Sequence, residues 1–364
     1  MQKKNRLLAI DWLRGLIMIV MTIDHASMAF NSGRLVTDSI FLYKAGTELA
    51  VDQFFVRWIT HICAPGFLFL AGISLALSIE KRIARGECPR ELDSFIIKRG
   101  ILLIAFDVLW MSLIVNGIVL QVLYAIGFSF ICMPLLRRLS NKWLWIISLS
   151  IIIGGEAITG LIYKTIGVNI ISSLLLSGGI HQYFLVIYPL LPWLAIMIIG
   201  WILGRSFLEK EQNPSKFILL GVGALIFFSI VRSINSYGNF LLYRENHSIV
   251  QWLHVSKYPP AITFIFLELG IIAILLGGFL YLQKKEYITT ILKPLQILGQ
   301  TALFYYLLHM HIMVWTAKFF GMKGTQGLTA TFISTVCVIV ILLPCCYMYR
   351  QLKIKYKNSW LRYV

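Results

Sequence analysis

Asp11, Arg14, Met18, Thr22 and His25 recur at steps of three and four residues in the first apolar run, which extends from Arg6 to His25. At about 100° per residue they share one helix face, so an acid, a base and an imidazole line a single stripe. Each ionisable group costs roughly 2.5–3.5 kcal/mol or more at a bilayer centre, so such a stripe has to face a protein interior or a wet cavity. An imidazole is the side chain best suited to move protons near neutral pH. Asp11 and Arg14 lie about 16–21 Å from His25 along the helix axis and belong to a different part of any site.

Three further segments carry His or Lys. Residues 57–72 read RWITHICAPGFLFLAG. Arg57 and His61 there are four apart and share a face, Pro65 removes a backbone hydrogen bond and predicts a bend, and Gly66, Ala71 and Gly72 permit close helix approach. Residues 256–260, SKYPP, set Lys257 and Tyr258 where the chain re-enters the membrane, with a Pro pair to start the next helix. Residues 298–309, LGQTALFYYLLH, put Tyr306 and His309 on one face; His311 is about 200° from His309, so only one of the two histidines shares it.

The elements that must position these residues are membrane-spanning helices. The chain is 58% hydrophobic and 13% charged, about half the charged share of a soluble domain, and its apolar runs are about the length of a bilayer crossing. The expected fold is all-α, a polytopic bundle of about ten or eleven transmembrane helices forming a single domain over 1–364 with no separate soluble domain. Ten spans fall at about 7–30, 54–80, 98–115, 118–136, 143–163, 184–204, 217–236, 260–282, 295–317 and 326–348. The loop 205–216 is the best candidate hinge.

Ten spans put both termini on one side. On that side lie 23 of the 33 basic residues: three before the first span, six over 81–99, three over 137–142, three over 205–216, three over 284–293 and five over 350–362. The positive-inside rule makes that side cytoplasmic. The net charge of +17 is therefore a topology signal, and no nucleic-acid partner is expected. No cleavable signal peptide is expected, because the first run lacks a small-residue cleavage site. The six cysteines have no metal-ligand spacing and read as packing residues.

Asp11-x-x-Arg14-Gly15 with Asp24-His25, the 57–72 segment, SKYPP and LGQTALFYYLLH together resemble the heparan-α-glucosaminide N-acetyltransferase-like family of transmembrane acyltransferases, and its bacterial branch more closely. The Arg-x10-His spacing of Arg14 and His25 resembles the signature of the wider superfamily. The resemblance implies acetyl-CoA as acyl donor from the cytoplasm and no metal. It also implies an extracytoplasmic glycan or small-molecule acceptor, and an integral protein of the bacterial cytoplasmic membrane. A homodimer is allowed. The eukaryotic branch carries its catalytic histidine in the loop between the first two spans; residues 31–53 here hold none, which leaves His25 and His61.

An amine or hydroxyl attacking a thioester needs a general base and fixed donors for the oxyanion. That chemistry assigns His25 as base with Asp24 as its carboxylate, and His61 as the rival. Adjacent helix residues point about 100° apart, so Asp24 could pair with Lys257 or Arg57 instead. Asp11, Arg14 and Arg57 are the coenzyme-side candidates; Lys257, Tyr258, Tyr306 and His309 are the substrate-side ones. Lys81, Arg82, Arg85, Lys98, Arg99, Arg137 and Arg138 are the cations available to the coenzyme phosphates. Asp107, Glu156 and Glu268 stay unassigned. The alternative function is a transporter or flippase for a lipid-linked or small acidic solute, although the repeated broken helices of such carriers are not evident.

Overall fold

The computed structural model describes residues 7–114, 117–165, 167–209, 212–356, 359 and 361. Lys3, Lys4, Arg6, Lys210, Lys357 and Arg362 of the basic residues counted above, and part of the 205–216 hinge, lie outside them.

The chain opens with α1 (Leu8–Phe30). A loop leads to α2 (Val51–Ile59), which passes through a 3-10 turn at Thr60–Ile62 into α3 (Cys63–Ile83). The turn lies where Pro65 withholds the hydrogen bond that His61 would otherwise accept; in place of the expected bend the helix tightens locally, and Val51–Ile83 runs on as one span. Next come α4 (Pro89–Ala105), an irregular helical stretch over 106–114, β1 (Ile118–Leu120), α5 (Val122–Leu136) and α6 (Asn141–Thr165). α7 (Ile170–Ser172), β2 (Gly179–Ile180) and β3 (Phe184–Val186) precede α8 (Leu190–Glu209) and α9 (Pro214–Ile234). The rest is α10 (Ile249–Leu253), α11 (Ile262–Leu282), α12 (Glu286–Ile291), α13 (Lys293–Gln300), α14 (Ala302–Phe319) and α15 (Leu328–Lys355).

The fold is nearly all-α. The departure is a small sheet in the order β1-β3-β2, with β1 parallel and β2 antiparallel to β3. Seven helical segments among the described residues are long and apolar enough to cross a membrane, so the expected count of ten or eleven is not met by straight helices. Three expected spans differ for separate reasons. Over 98–115 the α-helix stops at Ala105 and continues irregularly. α5 has 15 residues, about 22 Å, against a hydrocarbon core of about 30 Å. The 295–317 run is broken at Thr301, where α13 and α14 meet at 88°.

Two of the acids without a sequence-level role organise backbone at these irregular places. Asp107 Oδ2 accepts the amides of Gln121 (2.6 Å) and Tyr124 (2.9 Å), capping the start of α5 from another element. Glu156 accepts those of Gly238 (2.9 Å), Phe240 (2.7 Å) and Ile262 (3.1 Å), fixing the loop before α11. Glu268 is buried and its Oε1 has no hydrogen-bond partner among the described residues.

α1 is the centre of the bundle and packs against α3, α11, α13, α14 and α15. It meets α13 backbone to backbone. A methyl added to Gly15 would lie 2.0 Å from the Leu295 carbonyl oxygen, and one added to Gly299 would lie 1.9 Å from that of Asp11. Such reciprocal small-residue contacts let membrane helices pack by van der Waals approach. Gly299→Ala is expected to destabilise the protein by about 1–3 kcal/mol or more, because rigid backbone has to give way. Thermal unfolding in detergent checks this, with Gly278→Ala as the control, where an added methyl meets nothing within 4 Å.

Candidate active site

The whole stripe of α1 faces α13 and α14. Asp11 Oδ2 accepts from Gln300 Nε2 (2.9 Å). Arg14 lies 3.6 Å from Asp11, donates to the Gly299 carbonyl (3.0 Å) and also to the Ser74 hydroxyl. The Thr22 hydroxyl donates to the Met18 carbonyl (2.7 Å), so the Tyr305 hydroxyl, also at 2.7 Å, donates to Thr22. His25 Nδ1 lies 2.7 Å from His309 Nε2.

Two cavities lie along this stripe. The larger, about 240 Å³, is lined by Arg14, Ser74, Arg99, Gln300 and Lys353 among apolar side chains, and no acid among the described residues lines it. The Arg99 guanidinium lies over the Phe130 ring (5.5 Å) and its Nε has no hydrogen-bond partner among the described residues. The smaller, about 40 Å³, is lined by Asp24, His25, Cys63, Tyr188 and Lys257. Phe67, Val122 and Tyr306 line both, so these three side chains are the shared wall.

Beside the small cavity is a buried ionic cluster. Asp24 Oδ1 accepts from Arg57 Nη1 (2.6 Å), Arg34 Nη2 (2.9 Å) and the Thr60 hydroxyl (2.9 Å). Arg57 also donates from Nε (2.7 Å) and from Nη2 to Asp38 Oδ2. Burial alone would raise the Asp38 carboxyl, but Arg57 and His61 beside it hold it well below the ordinary carboxylate range. Against two carboxylates stand three cations, and the third, Lys257, has no ion pair among the described residues although it is only 2% exposed. Lys257 lines the small cavity together with His25.

The loop carrying Asp38 is pinned to the one carrying Lys257. The Lys257 amide donates to the Asp38 carbonyl (2.8 Å), and His254 Nε2 donates to that of Thr37 (2.9 Å). Burial pushes the His254 imidazole below its ordinary value, against the raising effect of the Thr37 bond. The unfolded chain then takes up a proton that the folded protein does not, so stability falls as pH drops below about 6.5. The unfolding midpoint is expected to fall less between pH 7 and 5 in His254→Gln than in the parent.

The chain matches the family described as heparan-alpha-glucosaminide N-acetyltransferase, catalytic, over residues 6–231, more than half its length. The chain belongs to this family. It is an integral membrane acyltransferase of the heparan-alpha-glucosaminide N-acetyltransferase type. No curated protein matches it. The family match contains α1 to nearly all of α9, with Arg14, His25, Arg57, His61 and Arg99. Lys257, Tyr306 and His309 lie beyond it, yet the fold returns them to the same place.

Several sequence expectations change within this family site. Asp24 takes its alternative partner Arg57, together with Arg34, and not His25, whose ring partner is His309. Arg57, expected on the coenzyme side, bonds Asp24 and Asp38 through all three guanidinium nitrogens at the His25 end of α1 and does not line the larger cavity. His61 lies 3.4 Å from Asp38, packs on Phe264 and does not line either cavity. His309 is wholly buried with both ring nitrogens engaged, so it offers no contact to an acceptor. His311 turns away to pack on Trp110, as the 200° separation requires. The Tyr258 hydroxyl lies 3.4 Å from that of Tyr188. Of the seven cations set out for the coenzyme phosphates, Arg99 alone lines one of these two cavities; Arg82 pairs with Glu87, and Arg137 and Arg138 pair with Asp93.

Asp38, Arg34, Tyr188 and Lys353 were not singled out by sequence. Asp38 had one signal: a buried Arg57 needs a counter-charge, and the 31–50 loop holds only two acids, Asp38 and Glu48.

Proposed function

We propose that the chain transfers an acetyl group from acetyl-CoA, held from the cytoplasmic side, to an amine or hydroxyl of a sugar on the opposite side. The family in general uses acetyl-CoA as donor. The observation that carries this reading is the pair of cavities along α1 with one shared wall, one cavity cationic and without acids, the other holding His25. Arg14, Arg99 and Lys353 would meet the coenzyme's anionic end, and the pantetheine arm would lie past Phe67, Val122 and Tyr306. In the small cavity His25 removes the proton of the acceptor as its nitrogen or oxygen attacks the thioester carbonyl carbon. The carbonyl oxygen becomes an oxyanion facing the unpaired Lys257 ammonium. The carbon–sulfur bond then breaks, and the coenzyme thiolate takes the proton back from the His25 imidazolium.

The same reading counts α4 with 106–114, α5 and the bent α13–α14 pair as crossings, which gives ten. Both termini are then on the basic, cytoplasmic side of a bacterial inner membrane, with the whole chain acting as one domain. Cys88 is exposed in the loop between α3 and α4, so an impermeant maleimide is expected to reach it only after permeabilisation. Labelling of Cys88 in intact cells would overturn this topology.

The function is tested by incubating the purified protein with labelled acetyl-CoA and a panel of amino sugars and envelope glycans. Transfer of label to one of them is expected. Arg99→Ala and Arg14→Ala are each expected to weaken acetyl-CoA binding about 10-fold or more, the scale of a lost charge-assisted bond of about 1.5–3 kcal/mol. Unchanged titration isotherms in both would remove the donor assignment from the larger cavity. Absence of donor binding in the parent protein would revive the transporter alternative.

A further inference from the structure

His309 has a buried ring with neighbours on every side. It lies between Tyr305, nearly parallel at 5.4 Å and 17°, and Tyr306, at 5.7 Å. Its Nδ1 is 3.0 Å from the carbonyl oxygen of Tyr305, one helical turn earlier, and its Nε2 is 2.7 Å from His25 Nδ1. Two buried imidazoles in hydrogen-bond contact constrain each other's protons, and the Tyr305 carbonyl decides the pattern. A carbonyl oxygen only accepts, so His309 carries its hydrogen on Nδ1. A neutral imidazole has one N–H, so His309 Nε2 is an acceptor. His25 therefore donates from Nδ1, and its lone pair is left on Nε2. That nitrogen has no hydrogen-bond partner among the described residues, and His25 lines the small cavity with Lys257 and Tyr306.

We propose that His309 is a positioning residue that holds His25 as its Nδ1–H tautomer and so presents Nε2 as the base. This rests on the reading of His25 as the base. It gives His309 the orienting part that a carboxylate takes in hydrolase triads, here filled by a neutral ring whose own proton is fixed by backbone. When His25 Nε2 accepts the proton of the acceptor, the Nδ1–H bond to His309 is kept, and the charge formed on His25 is met by the His309 lone pair. No proton leaves the pair, and the one gained goes to the departing thiolate.

The test uses two replacements of different hydrogen-bonding ability. In His309→Gln the amide oxygen can stand where Nε2 stood and accept from His25 Nδ1. In His309→Leu nothing can. With labelled acetyl-CoA as donor and glucosamine as acceptor probe, kcat is expected to fall about 10²-fold or more in His309→Leu. It is expected to stay within about 10-fold in His309→Gln, and acetyl-CoA affinity to be unchanged in both. A second readout needs no turnover. In nitrogen-15 spectra of histidine-labelled protein in detergent, the resonances lost in His25→Gln identify His25. They are expected to report the Nδ1–H form in the parent and in His309→Gln, and the Nε2–H form or a mixture in His309→Leu. An unchanged His25 tautomer in His309→Leu overturns the proposal, as does parental kcat in that variant. Activity persisting in His25→Gln overturns the base reading instead, whichever tautomer the spectra show.

Discussion

Replacing His25 by alanine is expected to slow acetyl transfer by about 10²–10⁴-fold, the usual contribution of a general base, while leaving acetyl-CoA affinity intact. The split follows from the geometry: His25 belongs to the small cavity, whereas Arg14 and Arg99 belong to the large one. His61→Ala is expected to cost less in rate, since His61 packs against Asp38 and Phe264 away from both cavities. Single-turnover rates and donor titrations of the two variants check this. Full activity in His25→Ala with loss in His61→Ala would move the base to His61. Full activity in both would remove histidine from the mechanism.

Arg57→Ala is expected to be the most destabilising single change at the site, by about 3–5 kcal/mol, because it strips a buried carboxylate of its partner. Asp38 would lose its only guanidinium, and Asp24 would keep Arg34 and Thr60. Thermal unfolding in detergent measures the loss. In a double-mutant cycle, adding Asp38→Ala to Arg57→Ala is expected to recover part of it, since the uncompensated charge is then gone. A variant that unfolds like the parent but binds acetyl-CoA weakly would return Arg57 to the coenzyme side, where sequence reasoning had set it.

The part of the site that sequence made legible is the part written on one helix. Steps of three and four residues put Asp11, Arg14, Thr22 and His25 on one face, and all four meet α13 or α14. Spacing also separated His309 from His311. Partners drawn from distant segments were not legible, because no period connects them. His25 and His309 are 284 residues apart, and Asp38 stands in a loop without any period. Asp24 was assigned to His25 with Lys257 or Arg57 as the alternative; the divergence of adjacent helix residues favours the alternative, Arg57 takes it, and Arg34 joins from a loop that spacing does not reach. The count of straight spans fell short of ten for a related reason. Hydropathy reports apolar length and is blind to direction, so the run over 295–317 reads as one straight rod despite the polar pair Gln300-Thr301 in it.

The corner at Thr301 ties the two ends of the reaction together. Its first arm, α13, carries the Gly299 carbonyl that accepts from Arg14 and the Gln300 amide that donates to Asp11. Its second arm, α14, carries Tyr306 in the shared wall and His309 against His25. On the proposed assignment of donor and base, a rotation about this one elbow would move the floor of the larger cavity and the ring partner of His25 in the same stroke. Substitutions that loosen it, unlike those at His25 or Arg99, therefore depress affinity and turnover in step.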